Sequence, residues 1–93
     1  MPVTFRIPSY LAGLAGNNTS ITVTASPANV QDALQALWKL YPSLRDRIVD
    51  EQNEVRQHIN IFVGNEAIRF TGGLQTSVPD GAELLIVPAV SGG

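Results

Sequence analysis

Glu83-Leu84-Leu85-Ile86-Val87 leads into Pro88, and this short run near the end of the chain decides how the rest is arranged. After its first residue it is apolar at every position, so it lacks the alternation of a strand with one wet face. A strand without a polar side is expected in the middle of a sheet, paired along both edges. Pro88 has no amide proton to offer a neighbour, and it ends the run. Beyond it the chain reads Ala89-Val90-Ser91-Gly92-Gly93, small residues closing on a glycine pair. Glycine has no Cβ, so this segment can lie flat in a narrow channel. The expected division is a folded domain over 1–88 and a flexible diglycine tail over 89–93.

The rest of the chain supplies the partners for that strand. Val3-Thr4-Phe5-Arg6-Ile7 alternates apolar and polar residues and is closed by Pro8, which predicts a half-buried strand. Ser9 to Asn18 reads as a loop, with Leu11 and Leu14 folding inward. Ser20 to Ala25 alternates again and predicts a second strand, antiparallel to the first. Either Ser26 or Asn29 suits the N-cap of a helix carrying Val30, Ala33, Leu34, Leu37, Trp38 and Tyr41 on one face, stopped by Pro42. That stripe is expected to pack on the sheet, with Trp38 at its edge, either core or partner contact.

Leu44 to Glu54 holds most of the charge, with signs mixed at helical spacing, which predicts a solvated face anchored by Ile48 and Val49. His58 to Val63 predicts a third strand, Gly64-Asn65 a hairpin turn, and Glu66 to Phe70 a short fourth strand. Leu74 to Val78 predicts one helical turn and Pro79-Asp80-Gly81 a tight one. The order is strand, strand, helix, strand, strand, strand, with the last strand central and parallel to the first because the connection crosses through the helix. This is an α+β class, the β-grasp arrangement of ubiquitin-like domains: a mixed sheet with one main helix packed across it.

Composition narrows the function. A chain of 93 residues has room for one modest core and none for a deep enzyme cleft. Its charged content of 15% is low against the usual ~25%, which favours a protein partner covering part of the surface. A formal charge of −2 without a basic stripe argues against a nucleic-acid partner. There is no cysteine to form disulfides, thiolate metal sites or a nucleophile. The single histidine, His58, cannot anchor a metal site without carboxylates for every other ligand. Gly72-Gly73 lacks the lysine pattern of a phosphate loop. Neither a signal segment nor an apolar run of membrane-spanning length is visible, so a cytoplasmic location with no membrane partner is expected. With no nucleophile–base pair or metal cluster, a stand-alone enzyme is not expected.

Specific motifs go further. Arg69-Phe70-x-Gly72-Gly73-Leu74-x-Thr76, then Asp80-Gly81, then Ile86-x-Pro88-Ala89-Val90-x-Gly92-Gly93 resembles the prokaryotic sulfur carriers of the MoaD/ThiS family. Within that family, Asn60-Ile61-x-Val63 and the Pro-Ala-Val-x-Gly-Gly ending are most similar to the CysO type, which serves cysteine biosynthesis. The motif-level likeness spans His58 to Gly93, while the N-terminal half agrees in element order.

The resemblance implies a protein with no catalytic residue of its own and a reactive terminus at Gly93. An E1-like activating enzyme would use ATP to adenylate the Gly93 carboxylate, and a sulfur donor would displace AMP to leave a thiocarboxylate. The acceptor would be an aminoacrylate on a pyridoxal phosphate (PLP) enzyme of the cysteine synthase kind, with a metal-dependent peptidase releasing the cysteinyl adduct. Alternatively it would be a pterin precursor held by the large subunit of molybdopterin synthase. No cofactor would be bound by the chain itself. Gly92 is then the spacer that permits close approach, and Ser91, Val90 and Ala89 are the threaded segment. Val90 would be its side-chain contact, and Pro88 would stiffen the exit. Phe70 and Leu74, with Ile61 and Ile68, are candidates either for an apolar docking patch or for the core. Two other readings stay open. A ubiquitin-like modifier would use the same activated carboxylate to form isopeptide bonds, and Lys39 is the only lysine for linking copies. A plain β-grasp interaction module would carry the diglycine incidentally.

Overall fold

The computed structural model describes residues 2–24 and 26–88. Its elements are β1 (Val3–Arg6), β2 (Ser20–Val23), helix α1 (Val30–Leu40), a single turn α2 (Arg45–Ile48), β3 (Ile59–Val63), β4 (Glu66–Ala67) and β5 (Glu83–Pro88). They form one five-stranded sheet in the order β2-β1-β5-β3-β4. β5 runs parallel to β1 and antiparallel to β3, so the last strand is central and mixed in its pairing. With α1 packed across the sheet, this is the β-grasp architecture.

Register explains the core. Phe5 sits opposite Leu84, and Ile61 opposite Ile86, so both edges of β5 contribute to one apolar layer. Val3, Ile21, Val23 and Ile59 complete that layer on neighbouring strands, each buried. α1 covers it with Val30, Ala33, Leu34 and Leu37, the face set by three- and four-residue spacing. Asn29 is the N-cap rather than Ser26. Its side chain accepts from the Asp32 amide at 2.9 Å, satisfying a donor the helix leaves open. Asp32 in the first turn and Lys39 in the last complement the helix dipole.

Several stretches depart from the periodicity that predicted them. The loop from Ser9 forms a six-residue 3-10 helix, Ser9–Leu14, which drops Leu11 into the core and leaves Leu14 partly buried against it. The charged stretch is helical only over Arg45–Ile48. The Asp50 carboxylate then accepts from the amides of Gln52 and Glu54 at 2.9 and 3.0 Å, turning the chain where a helix would have continued. Val49 and Val55 bridge across that turn. The fourth strand stops at Ala67, because Ile68 turns inward to 5% exposure and Ile68–Phe70 winds into a 3-10 turn. The segment at 74–78 is a 3-10 turn over Gly73–Gln75, tied to the start of α1 by Val30 N–H donating to Thr76 O at 3.0 Å.

β5 itself is not shielded equally on its two faces. Leu84 and Ile86 are 0% and 1% exposed, whereas Leu85 and Val87 on the opposite face are only half-buried. Truncating the two faces therefore has unequal consequences. Leu84→Ala is expected to cost about 3 kcal/mol in equilibrium urea unfolding, and Leu85→Ala about 1 kcal/mol or less; equal costs would contradict this orientation of the strand.

Candidate functional site

The central strand delivers the chain to the edge of the fold at a defined place. Pro88 pairs with Ile59, Val87 with Asn60 and Ile86 with Ile61, so β5 is held by β3 up to its last residue. Pro88 is exposed there and needs no partner for an amide it lacks. Ala89, Val90, Ser91, Gly92 and Gly93, named above as threaded segment, spacer and reactive terminus, lie outside the described residues. The described part of the site is thus the exit at Pro88 and the surfaces around it.

Strand register and the turn after β4 set the four apolar candidates apart. Ile61 and Ile68 are 2% and 5% exposed and belong to the core. Phe70 is 83% exposed, because the 3-10 turn that sends Ile68 inward points its successors outward. Gly72 and Gly73 have φ of 143° and 60°, values that favour glycine, and they reverse the chain directly behind Phe70. The Thr71 and Thr76 hydroxyls meet at 2.9 Å across this loop. Much of the Arg69-to-Thr76 motif is therefore turn chemistry that presents Phe70 and brings Leu74, partly buried, back against the core.

Between β3, residues 54–57 and this turn lies a groove of about 530 Å³. Its floor is Val55, Ile59, Ile61, Ile68 and Leu74, with Glu54, Arg56 and Arg69 along its walls. Arg56 Nε donates to the Asp46 carbonyl at 2.7 Å, and Arg69 donates to the side-chain oxygen of Asn60. A smaller groove of about 170 Å³ runs between α1 and the charged turn, with Trp38 and Leu74 in its wall. Trp38 packs partly against the core, so it is neither fully buried nor a free surface aromatic.

A third surface was not singled out by the sequence reading. Leu85 stands opposite Phe62 on the open face of the sheet, with Val87 one step along, and all three are half-buried. An Arg6–Glu83 ion pair at 2.9 Å lies on the same face. The signal was the unbroken apolar run of β5: with one face on the helix layer, the other must meet either water or a partner. His58 is exposed, and no group of His, Asp or Glu suited to a metal ion occurs among the described residues. No helix among them is long and apolar enough to cross a membrane.

A model of the ThiS family matches residues 6–93. The chain belongs to the ThiS family. Sulfur carrier protein CysO of Mycobacterium tuberculosis is 36% identical over 95 aligned positions, covering 100% of both chains. Small archaeal modifier protein 1 of Haloferax volcanii is 36% identical over 89 positions, covering 96% of this chain and 98% of that one. A chain in the crystal structure of the Amycolatopsis orientalis BexX/CysO complex superposes with a TM-score of 0.87 at 34% identity, covering 98% of this chain and 99% of that one. The likeness to CysO thus runs through the N-terminal half as well as the motifs after His58. This ThiS-family chain is a sulfur carrier of the CysO kind, with ubiquitin-like modifiers among its homologues.

The contrast between neighbouring residues of the turn is directly measurable. Phe70→Ser is expected to leave folding stability within about 0.5 kcal/mol of the parent, while Ile68→Ser should cost about 3 kcal/mol or more by thermal or urea unfolding.

Proposed function

We propose that this protein carries sulfur on its Gly93 carboxylate, as a thiocarboxylate, for cysteine biosynthesis. The observation that carries this reading is the position of β5, a central strand clamped from both sides that ends at Pro88, with the family match continuing through the diglycine. An E1-like enzyme would bring the carboxylate oxygen onto the α-phosphorus of ATP, releasing pyrophosphate and forming an acyl adenylate. A sulfide-level donor would then attack the acyl carbon and expel AMP. Glycine at the reacting position and before it lets the terminus enter a narrow channel, where geometry accounts for much of the rate.

The acceptor would be an aminoacrylate on a PLP enzyme resembling cysteine synthase, followed by a metal-dependent peptidase that frees the terminus. ATP and PLP belong to those partners, and the chain itself binds no cofactor in this scheme. Such chemistry fits the cytoplasm. The likeness to CysO over the whole chain supports the cysteine branch. CysO of Amycolatopsis orientalis has been crystallised in complex with BexX, which supports reading this fold as one that docks on partner enzymes. The open sheet face around Phe62, Leu85 and Val87, together with Phe70, offers the apolar surface for such contacts.

A second reading is favoured by the 36% identity to a small archaeal modifier protein. The same acyl adenylate can be captured by an amine, and Lys39 is exposed on α1 for linking copies. Carrier and modifier roles share the activation step and can coexist.

The test is to incubate the protein with its host's activating enzyme, ATP and a sulfide donor. The parent should acquire sulfur at the terminus. Gly93→Ala should fold normally and load about 100-fold more slowly, because a methyl group displaces the acyl carbon in a confined channel. Loading of that variant at the parental rate would contradict the mechanism.

A further inference from the structure

We propose that the groove beside the β5 exit receives an acidic, apolar-tipped segment of the enzyme that acts on the tail. One aliphatic or aromatic side chain would sit on the floor, and a neighbouring carboxylate would meet Arg56 and Arg69. This rests on the carrier reading and names the chemistry of the surface such a partner presents.

Three observations carry it. The first is charge. Among the described residues neither Arg56 nor Arg69 meets a carboxylate: their side-chain bonds go to the Asp46 carbonyl and the Asn60 amide oxygen, both neutral. The described ion pairs involve other arginines, Arg6 and Arg45. Glu54 stands on the same groove, so it carries two guanidinium groups against one carboxylate on a chain whose net charge is −2. The groove is thus a local positive site with unused donors, suited to an anionic partner.

The second observation is the floor. Val55 and Leu74 are only partly buried and offer apolar surface that gains free energy when something apolar covers it, above the buried side chains of Ile59, Ile61 and Ile68. The third is position. Ile59 contributes to the floor and also pairs with Pro88, so the groove adjoins the point where the tail leaves the domain. An enzyme holding the tail reaches it without further rearrangement. Phe70 follows Arg69 in the chain and is 83% exposed, an apolar group outside the residues that line the groove. A small carboxylate could fill the floor but would leave Phe70 uncovered, whereas a protein segment covers both.

The experiment is an amide-shift NMR titration of the full chain with the peptide acetyl-Asp-Leu-Phe-Asp-amide. The expected result is saturable shifts at Val55, Ile59, Arg69, Phe70 and Leu74, with binding weakened roughly fivefold by Arg69→Glu and reduced by added salt. The peptide acetyl-Lys-Leu-Phe-Lys-amide should produce none of these shifts. Absence of shifts with the acidic peptide, equal binding of the two peptides, or shifts confined to Phe62, Leu85 and Val87 would overturn the proposal. So would octanoate shifting the groove where the peptide does not, which would assign it to a small molecule. The titration involves no sulfur transfer, so a silent groove in a protein that still loads sulfur refutes this inference alone. Failure to load with intact peptide binding would refute the carrier reading instead.

Discussion

A strand paired on both edges cannot lean, and β5 is such a strand. Phe5↔Leu84 on one side and Ile61↔Ile86 on the other lock it between β1 and β3. Its inner residues are among the most deeply buried in the protein, so the hydrophobic layer and the hydrogen-bond ladders restrain the same few positions. The parallel β1–β5 pairing in turn requires a connection that crosses the sheet, and α1 is that crossover. Sheet, helix and exit point therefore follow from one placement. Moving β5 to an edge would leave both the helix stripe and the terminus without a fixed seat.

Around this frame, turns decide which apolar groups are structural and which are offered outward. Asp50 breaks the charged stretch after one helical turn and lets Val49 and Val55 bridge. Gly72 and Gly73 supply positive φ where the chain reverses, which leaves Phe70 in solvent and Leu74 lining two grooves. The outcome is a small domain that leaves Phe70 83% exposed and Phe62, Leu85 and Val87 half-buried on the open sheet face, apolar surface the proposed role would use for partner contact.

Much of this was legible in the residues. The apolar run Glu83–Val87 gave the central strand, the spacing from Val30 to Leu37 gave the helix, and the Gly64-Asn65 pair gave the β3–β4 turn. What misled was local period without tertiary context. Glu66 to Phe70 alternates like a strand, but pairing beyond Ala67 competes with burial of Ile68, and burial prevails. Leu44 to Glu54 has helical spacing, but a carboxylate placed to accept two backbone amides ends the helix. Whether Ile61, Ile68, Phe70 and Leu74 were core or surface could not be read from hydrophobicity, which they share; it depended on strand register for Ile61 and on the direction of one turn for the other three. The open-face row of Phe62, Leu85 and Val87 went unread because an apolar run does not reveal whether a second layer covers it. The tail was the reverse case: its sequence is specific, and the described structure stops where it begins.

Function then follows from division of labour. The domain holds the exit at Pro88, and in the scheme proposed the surfaces near it give partners something to grip while the chemistry happens on the terminal carboxylate. The most direct measurement is the intact mass of the protein purified from its own host under sulfur-replete growth. The carrier account predicts a fraction in which one terminal oxygen is replaced by sulfur, localised by fragmentation to Gly93. A population carrying only the ordinary carboxylate, in sulfur-replete and sulfur-limited cells alike, would contradict it.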